Sequence, residues 1–409
     1  MAGAIGCGES SLPSAPADRP VTAITAAASF QVNSTADVVD AAPGNGVCRT
    51  ASGTCTLRAA IQESNALAGE NTINLPAGTY PLSILPHPGK DDASGSIAIT
   101  GPLRIFGAGT ATTIVDGIAF RNQGLTQVSL KVVATAGSVM LTGLTLLNGG
   151  DYTSGLCGGS NLRVEAGATV LLRKVAVRGG RDYCEAGGIR NSGSLTLDQS
   201  VVANNGSPSA GGGIGNDGTL TIGRSTISAN LGETTGGIFN DDKGQLIMRN
   251  STLSANRSEF YASGLYNSGS AILNNVTISK NGETDLDIPA VGTFGSGVTE
   301  ISNTIIGGNV GPNCAGTLTS AGYNLLGGTA GCTLVGDGTG NIIGVAPKLG
   351  LLQDNGGPTP THALLSGSPA RNAGNPATPG SSATACLPGD QRLLPRSATR
   401  CDIGAVEMQ

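Results

Sequence analysis

A pentapeptide that recurs at near-constant spacing governs what this chain can become. Gly187-Gly188-Ile189-Arg190-Asn191 returns as Gly212-Gly213-Ile214-Gly215-Asn216, as Gly236-Gly237-Ile238-Phe239-Asn240, and more loosely as Ser263-Gly264-Leu265-Tyr266-Asn267. Its Asn residues stand 25, 24 and 27 positions apart. Each copy precedes a short alternating run, such as Leu195-Thr196-Leu197 or Leu220-Thr221-Ile222, and a second run then closes on Asn205, Asn230, Asn256 or Asn281. A fixed period in the twenties marks a solenoid, each unit stacking its apolar face on its neighbours.

The runs are β-branched, of period two and punctuated by Gly and Asn, so the repeating unit is built of strands. Asn tolerates the left-handed backbone of a tight turn, and its amide can bond to the equivalent Asn one coil away. The regular Leu-x-x-Leu-x-Leu frame of a leucine-rich repeat is missing. The pattern resembles the all-β, right-handed parallel β-helix of pectin-lyase-like proteins. That resemblance implies a helix over 73–345, with coils at Leu103–Ile114, Gly137–Asn148, Gly167–Gly180, the clear repeats, Val298–Asn309 and Leu318–Leu326. About ten or eleven coils at ~4.8 Å each predict a rod ~50 Å long.

Composition fits this reading and narrows the partners. Gly, at 65 of 409 residues, is about twice ordinary usage and accompanies β-branched runs, which means turns. A net charge of −5 argues against nucleic acid or an anionic membrane as a bulk partner. No apolar run approaches the ~20 residues of a membrane span. A monomer is expected, contacting a membrane only through a lipid anchor.

Eight of the nine cysteines fall into local pairs: Cys48 with Cys55, Cys157 with Cys184, Cys314 with Cys332, and Cys386 with Cys401. They read as disulfides of an oxidising, extracellular or cell-surface compartment. Buried thiols are the structural alternative. A zinc site lacks a Cys-x-x-Cys, with only His87 and His362 to help. Cys7, in Ala4-Ile5-Gly6-Cys7, resembles a bacterial lipobox, with 1–28 as lipobox and flexible tether; an incidental cysteine is the alternative.

From 29 to 72 a strand is followed by Leu57, Ala60, Ile61 and Ser64 at helical spacing, an amphipathic helix that would close the first coil. Cys55-Thr56-Leu57-Arg58-Ala59-Ala60 resembles the CSLREA segment of bacterial secreted β-helix proteins, with Thr56 and Ala59 departing from it. From 346 to 409, Asn355-Gly356-Gly357-Pro358-Thr359, Gly389-Asp390-Gln391-Arg392 and Cys401-Asp402-Ile403-Gly404 resemble the choice-of-anchor Q region. This implies a stapled C-terminal cap and brings no reaction with it.

The chemistry-bearing residues are fewer. Arg163, Arg173, Lys174, Arg178, Arg181 and Arg190 concentrate positive charge in one coil. Polysaccharide lyases of this fold use Lys or Arg to take the proton α to a uronic carboxylate. The resemblance therefore gives Lys174 as base, with Arg178 or Arg190 neutralising the developing charge. A solvated basic face is the plain alternative, and a patch holding acidic polysaccharide or a cell-surface glycan lies between, with Arg163 and Arg181 as contacts. Phe239 and Tyr266, followed by Phe294, recur at one outward position and suit sugar rings. Asp198, Asp217, Glu233, Asp241 and Asp242 are the carboxylates a glycoside hydrolase would draw on. No cofactor is expected; Asp285 and Asp287 lack the repeat that would support Ca²⁺. A glycan-contacting surface scaffold is the leading expectation, a polysaccharide lyase the alternative.

Overall fold

The computed structural model describes residues 27–87, 93–125, 127–150 and 160–409. Within them the chain winds into a parallel β-helix with three long ladders. The first ladder runs Ser29–Gln31, Asn71–Leu75, Leu103–Gly107, Ser138–Thr142, Thr169–Arg173, Ser194–Asp198, Thr219–Gly223, Gln245–Ser254, Ser270–Ser279, Val298–Ser302, Cys314–Ala321 and Cys332–Asp337, twelve rungs among the described residues. The second follows it round a corner, from Gly78–Pro81 through Ala176–Arg178 and Thr226–Ser228 to Ile342–Ile343. The third carries the Gly-Gly-Ile-x-Asn motif, from Ile97–Ile99 through Ile189–Asn191 and Ile238–Asn240 to Cys314.

Period-two alternation sends Leu, Ile and Val inward from each ladder into one continuous core from Phe30 to Leu326. The second Gly of each motif is fixed by the stacking distance. A Cβ at Gly188, Gly213 or Gly237 would lie 2.2–2.6 Å from the carbonyl oxygen of the equivalent Gly one coil on.

The inward Asn residues do what the spacing implied, and do it twice. Asn191, Asn216, Asn240 and Asn267 are fully buried, and each donates to the next at 2.6–2.7 Å. Asn205, Asn230, Asn256 and Asn281 form a second file with Nδ2–Oδ1 distances of 2.9–3.0 Å. Both files satisfy amides that would otherwise be unpaired in the core. The turn role expected of the first file falls elsewhere, because its members sit within strands. Left-handed backbone belongs to two corners per coil, one at Gly143, Lys174, Gln199, Arg224, Asn250, Asn275 and Asn303, the other including Asn148, Asn204, Ala229 and Ala255.

The helix Leu57–Ala66 closes the N-terminal end, capped by the Thr56 hydroxyl, which accepts from Ala59 N at 3.1 Å. Its polar side, expected to face water, is roofed by the preceding loop. Arg58 is buried against Asp37 at 2.6 Å, Gln62 accepts from Asp40 N, and Glu63 accepts from the amides of Gly44 and Gly46. Disulfides join Cys48–Cys55, Cys314–Cys332 and Cys386–Cys401. Cys157 and Cys7 lie outside the described residues.

The disulfide-stapled C-terminal cap spreads along the rod's flank, following the second ladder. The Gln391 amide donates to Thr226 Oγ1 and Thr359 Oγ1, both at 2.9 Å, and its carbonyl accepts from Thr252 Oγ1 at 2.7 Å. Asn275 donates to Gly404 O, and Asn303 to Thr384 O. This buries Asn250, Asn275 and Asn303 at a corner whose equivalent, Lys174, is exposed. From the sequence, the repeat position shared by Gly143, Lys174, Gln199, Arg224, Asn250, Asn275 and Asn303 is expected to face solvent; at Asn250, Asn275 and Asn303 the cap covers it instead.

Candidate functional site

Outward residues of the third ladder form one file in register. Lys131, Arg163, Arg190, Gly215, Phe239, Tyr266 and Gly292 occupy successive rungs. A strand presents alternate residues to each side, so Ile189 and Asn191 go inward and Arg190 goes out; every copy of the motif repeats that choice.

The lower part of the file is cationic, with each cation held by a carboxylate. Lys131 pairs with Glu165 at 3.0 Å, Arg163 with Glu185, and Arg190 with Asp217 at 2.9 Å. Burial works against the Arg163 guanidinium, but Glu185 hydrogen-bonds to it and leaves its pKa above the ordinary value. A guanidinium has five N–H donors and one carboxylate accepts two of them, so donors remain. Arg190 Nε and Asp217 Oδ1 are both buried without a hydrogen-bond partner.

The upper part is aromatic. Phe239 stacks on Tyr266 at 4.7 Å with planes 15° apart, and Tyr266 on Phe294 at 4.8 Å and 22°. Phe294 lies off the ladder but folds back over Gly292, where any Cβ would stand 2.2 Å from its ring. Tyr261 closes the side of the stack, edge-on to Tyr266 at 5.8 Å and to Phe294 at 5.9 Å. Because neighbouring rings cover one another's faces, the stack shows mainly its edges to the outside, and burial pushes up the pKa of the Tyr266 hydroxyl.

The remaining expected site residues are distributed round the coil. Lys174 is exposed at the left-handed corner between the first and second ladders, and Arg178 is exposed on the second. Arg181 bridges to Gly206 on a short extra ladder. Lys174, Arg178 and Arg190 thus stand on different faces, while Arg163, Arg190, Phe239 and Tyr266 share one. Among the carboxylates, Asp198 pairs with Arg224 at 2.6 Å and with Arg173 at 3.6 Å, Asp217 with Arg190, and Asp241 and Asp242 sit in the turn after Asn240. The described residues contain no cluster of three or more His, Cys, Asp or Glu able to hold a metal. Lys131 escaped the sequence reading because its coil lacks the glycine motif, and Tyr261 because it falls outside the repeat register.

No family model matches the chain, and no curated protein resembles it in sequence. Among solved structures it is similar to a pectate lyase, Pel9A, with a TM-score of 0.51 at 14% identity, covering 94% of this chain and 97% of that one. It is more distantly similar to the A-module of the Azotobacter vinelandii mannuronan C-5 epimerase AlgE4, with a TM-score of 0.31 at 15% identity over 77% of this chain and 97% of the other. The likeness to the pectate lyase establishes a shared parallel β-helix fold.

Proposed function

We propose that this chain is an exported surface β-helix whose third face binds an acidic polysaccharide. The observation that carries the reading is the single outward file, three cations and then stacked rings, one residue per coil. A polymer lying along the rod meets these groups at the coil repeat of ~4.8 Å. Uronic carboxylates would take the guanidinium donors left by Glu185 and Asp217, and sugar C–H groups the ring edges. That one structural neighbour is a pectate lyase is consistent with a carbohydrate ligand, although fold alone does not carry function.

Three described disulfides support an oxidising, extracellular setting, and no described helix is long and apolar enough to cross a membrane. Attachment through a lipidated Cys7, a CSLREA-type start and an anchor-type end belong to the same proposal. Their support is the sequence motifs quoted above.

Affinity electrophoresis through gels containing acidic or neutral polysaccharide tests the face. Arg163→Gln should weaken retention by the acidic polymer alone, and Tyr266→Ala retention in general. Unchanged mobility of the parent chain on every acidic polymer at low salt overturns the reading. A lyase reading keeps Lys174 as base because it is exposed at its corner, next to the exposed Arg173. It requires unsaturated products, seen by ultraviolet absorbance and lost in Lys174→Ala.

A further inference from the structure

A second surface lies beside the aromatic stack and has different chemistry. The short ladder Gly206–Ser207, Leu231–Gly232 and Arg257–Ser258 lines two adjoining hollows of about 370 and 440 Å³, and a third of about 620 Å³ continues from them. Leu231 and Glu259 line the first and second, Glu233 the first and third, and Phe260 the second and third, so the hollows form one groove.

Its walls hold a concentration of exposed apolar side chains: Leu231 at 55%, Phe260 at 57%, Tyr261 at 51% and Leu286 at 39% exposure. A soluble surface seldom gathers so many large apolar groups unless something covers them. The rim is acidic. Glu233 and Glu259 belong to successive coils, the Glu259 amide donating to Glu233 O at 3.1 Å, and Glu283, Asp285 and Asp287 follow in the next turn. Arg257 offsets them in part, paired with Glu283 at 3.5 Å.

We propose that this groove docks an extended peptide segment of a partner protein bearing alternating basic and apolar side chains. Charge complementarity selects the basic groups, since Glu233 and Glu259 pair with no cation among the described residues and flank the apolar hollows. Leu231 and Leu286 select a peptide over an amino-sugar polymer. Aliphatic groups gain by covering aliphatic surface, whereas a polyol would lose water from its hydroxyls there without a hydrogen bond in return. The groove excludes acidic polymers for the same electrostatic reason that the neighbouring cationic file attracts them.

Fluorescence anisotropy on the full chain tests this, with a labelled peptide alternating lysine and leucine as probe. Lysine–serine and glutamate–leucine peptides of equal length are the comparisons. The lysine–leucine peptide should bind tightest and weaken as salt rises. The double variant Glu233→Gln/Glu259→Gln should lower its affinity about tenfold or more, and Glu300→Gln on the first ladder should leave it unchanged. Leu231→Ser/Phe260→Ser should abolish the preference for leucine over serine. Equal binding of the lysine–leucine and lysine–serine peptides by the parent chain overturns the proposal, as does indifference to the double Gln variant. Capture of a chitosan oligomer without the peptide assigns the groove to an amino sugar instead. Because the probe carries no acidic sugar, failure here leaves the polysaccharide reading of the third face standing.

Discussion

The second and third flanks of this rod share one backbone and differ in what points outward. On the second, Thr226, Ser228, Thr252, Ser254, Thr277 and Ser279 are buried beneath the C-terminal segment. Small hydroxyl side chains accept and donate at short range, so a covering chain can lie close and bond to each coil. On the third, Arg, Lys and aromatic side chains stand too tall for such a cover and remain half exposed. Outward residue size therefore separates a flank that is part of the interior from one left for ligands.

The covered flank should be the more sensitive to single changes. Arg396 is fully buried there, pairing with Glu407 at 3.2 Å and donating to Asn250 Oδ1 at 3.0 Å. Glu407→Ala would strand that charge and should cost ~3–5 kcal/mol, read as a shift in denaturation midpoint. A cost below that of an exposed ion pair would mean the cap contributes little. Next comes Asn240→Leu beneath the bare flank, which breaks two amide contacts of a file and should cost ~1–3 kcal/mol. An unaltered midpoint would show that the file is not a source of stability.

Acidification should divide the flanks more finely. His362 Nδ1 donates to Gly350 O, 2.7 Å away, and its Nε2 lies within hydrogen-bond distance of Ser254 Oγ at 2.9 Å. Burial, opposed by the Gly350 bond and aided by Lys280, holds its pKa below the ordinary value. The unfolded chain therefore binds a proton more readily. Stability is full above the unfolded imidazole value of ~6.5 and declines as pH falls below it, until the folded pKa is passed. His362→Gln should flatten that slope; an identical pH profile in both proteins would remove His362 as its cause. The smallest effect belongs to the bare flank, where Tyr266→Ala should cost only ~0.5–1.5 kcal/mol of ring stacking while reducing polysaccharide retention. A large loss of stability would make the stack a structural element.

How much of this was legible follows from how far each feature reaches along the chain. The coil repeat, both Asn files, the helix after Cys55, and the row Phe239, Tyr266 and Phe294 are periodic or local, and periodicity is visible in one sequence. The cap's path is not, because Gln391 meets Thr226 across 165 positions with no pattern to announce it. That distance also hid the fate of Asn275 and Asn303, which read as exposed corners. The Arg58–Asp37 pair is a similar case, an acid in one loop meeting a base on a helix. The basic coil was visible as composition, but the direction of each cation depends on whether it falls on a strand, at a corner or on the extra ladder. Lys174 and Arg190 therefore belong to one basic stretch of sequence and lie on different faces.

The C-terminal segment also changes how the rod responds to force. A solenoid whose coils touch only their neighbours can peel from a free end, one turn at a time. Here a single covering strap is bonded to Arg224, Thr252, Asn275 and Asn303, which belong to four successive coils. Four coils in the C-terminal half of the rod are thus lashed together like laths under a batten. Pulled from its C-terminus, the rod must first shed the strap, and only then can its end coils unwind singly.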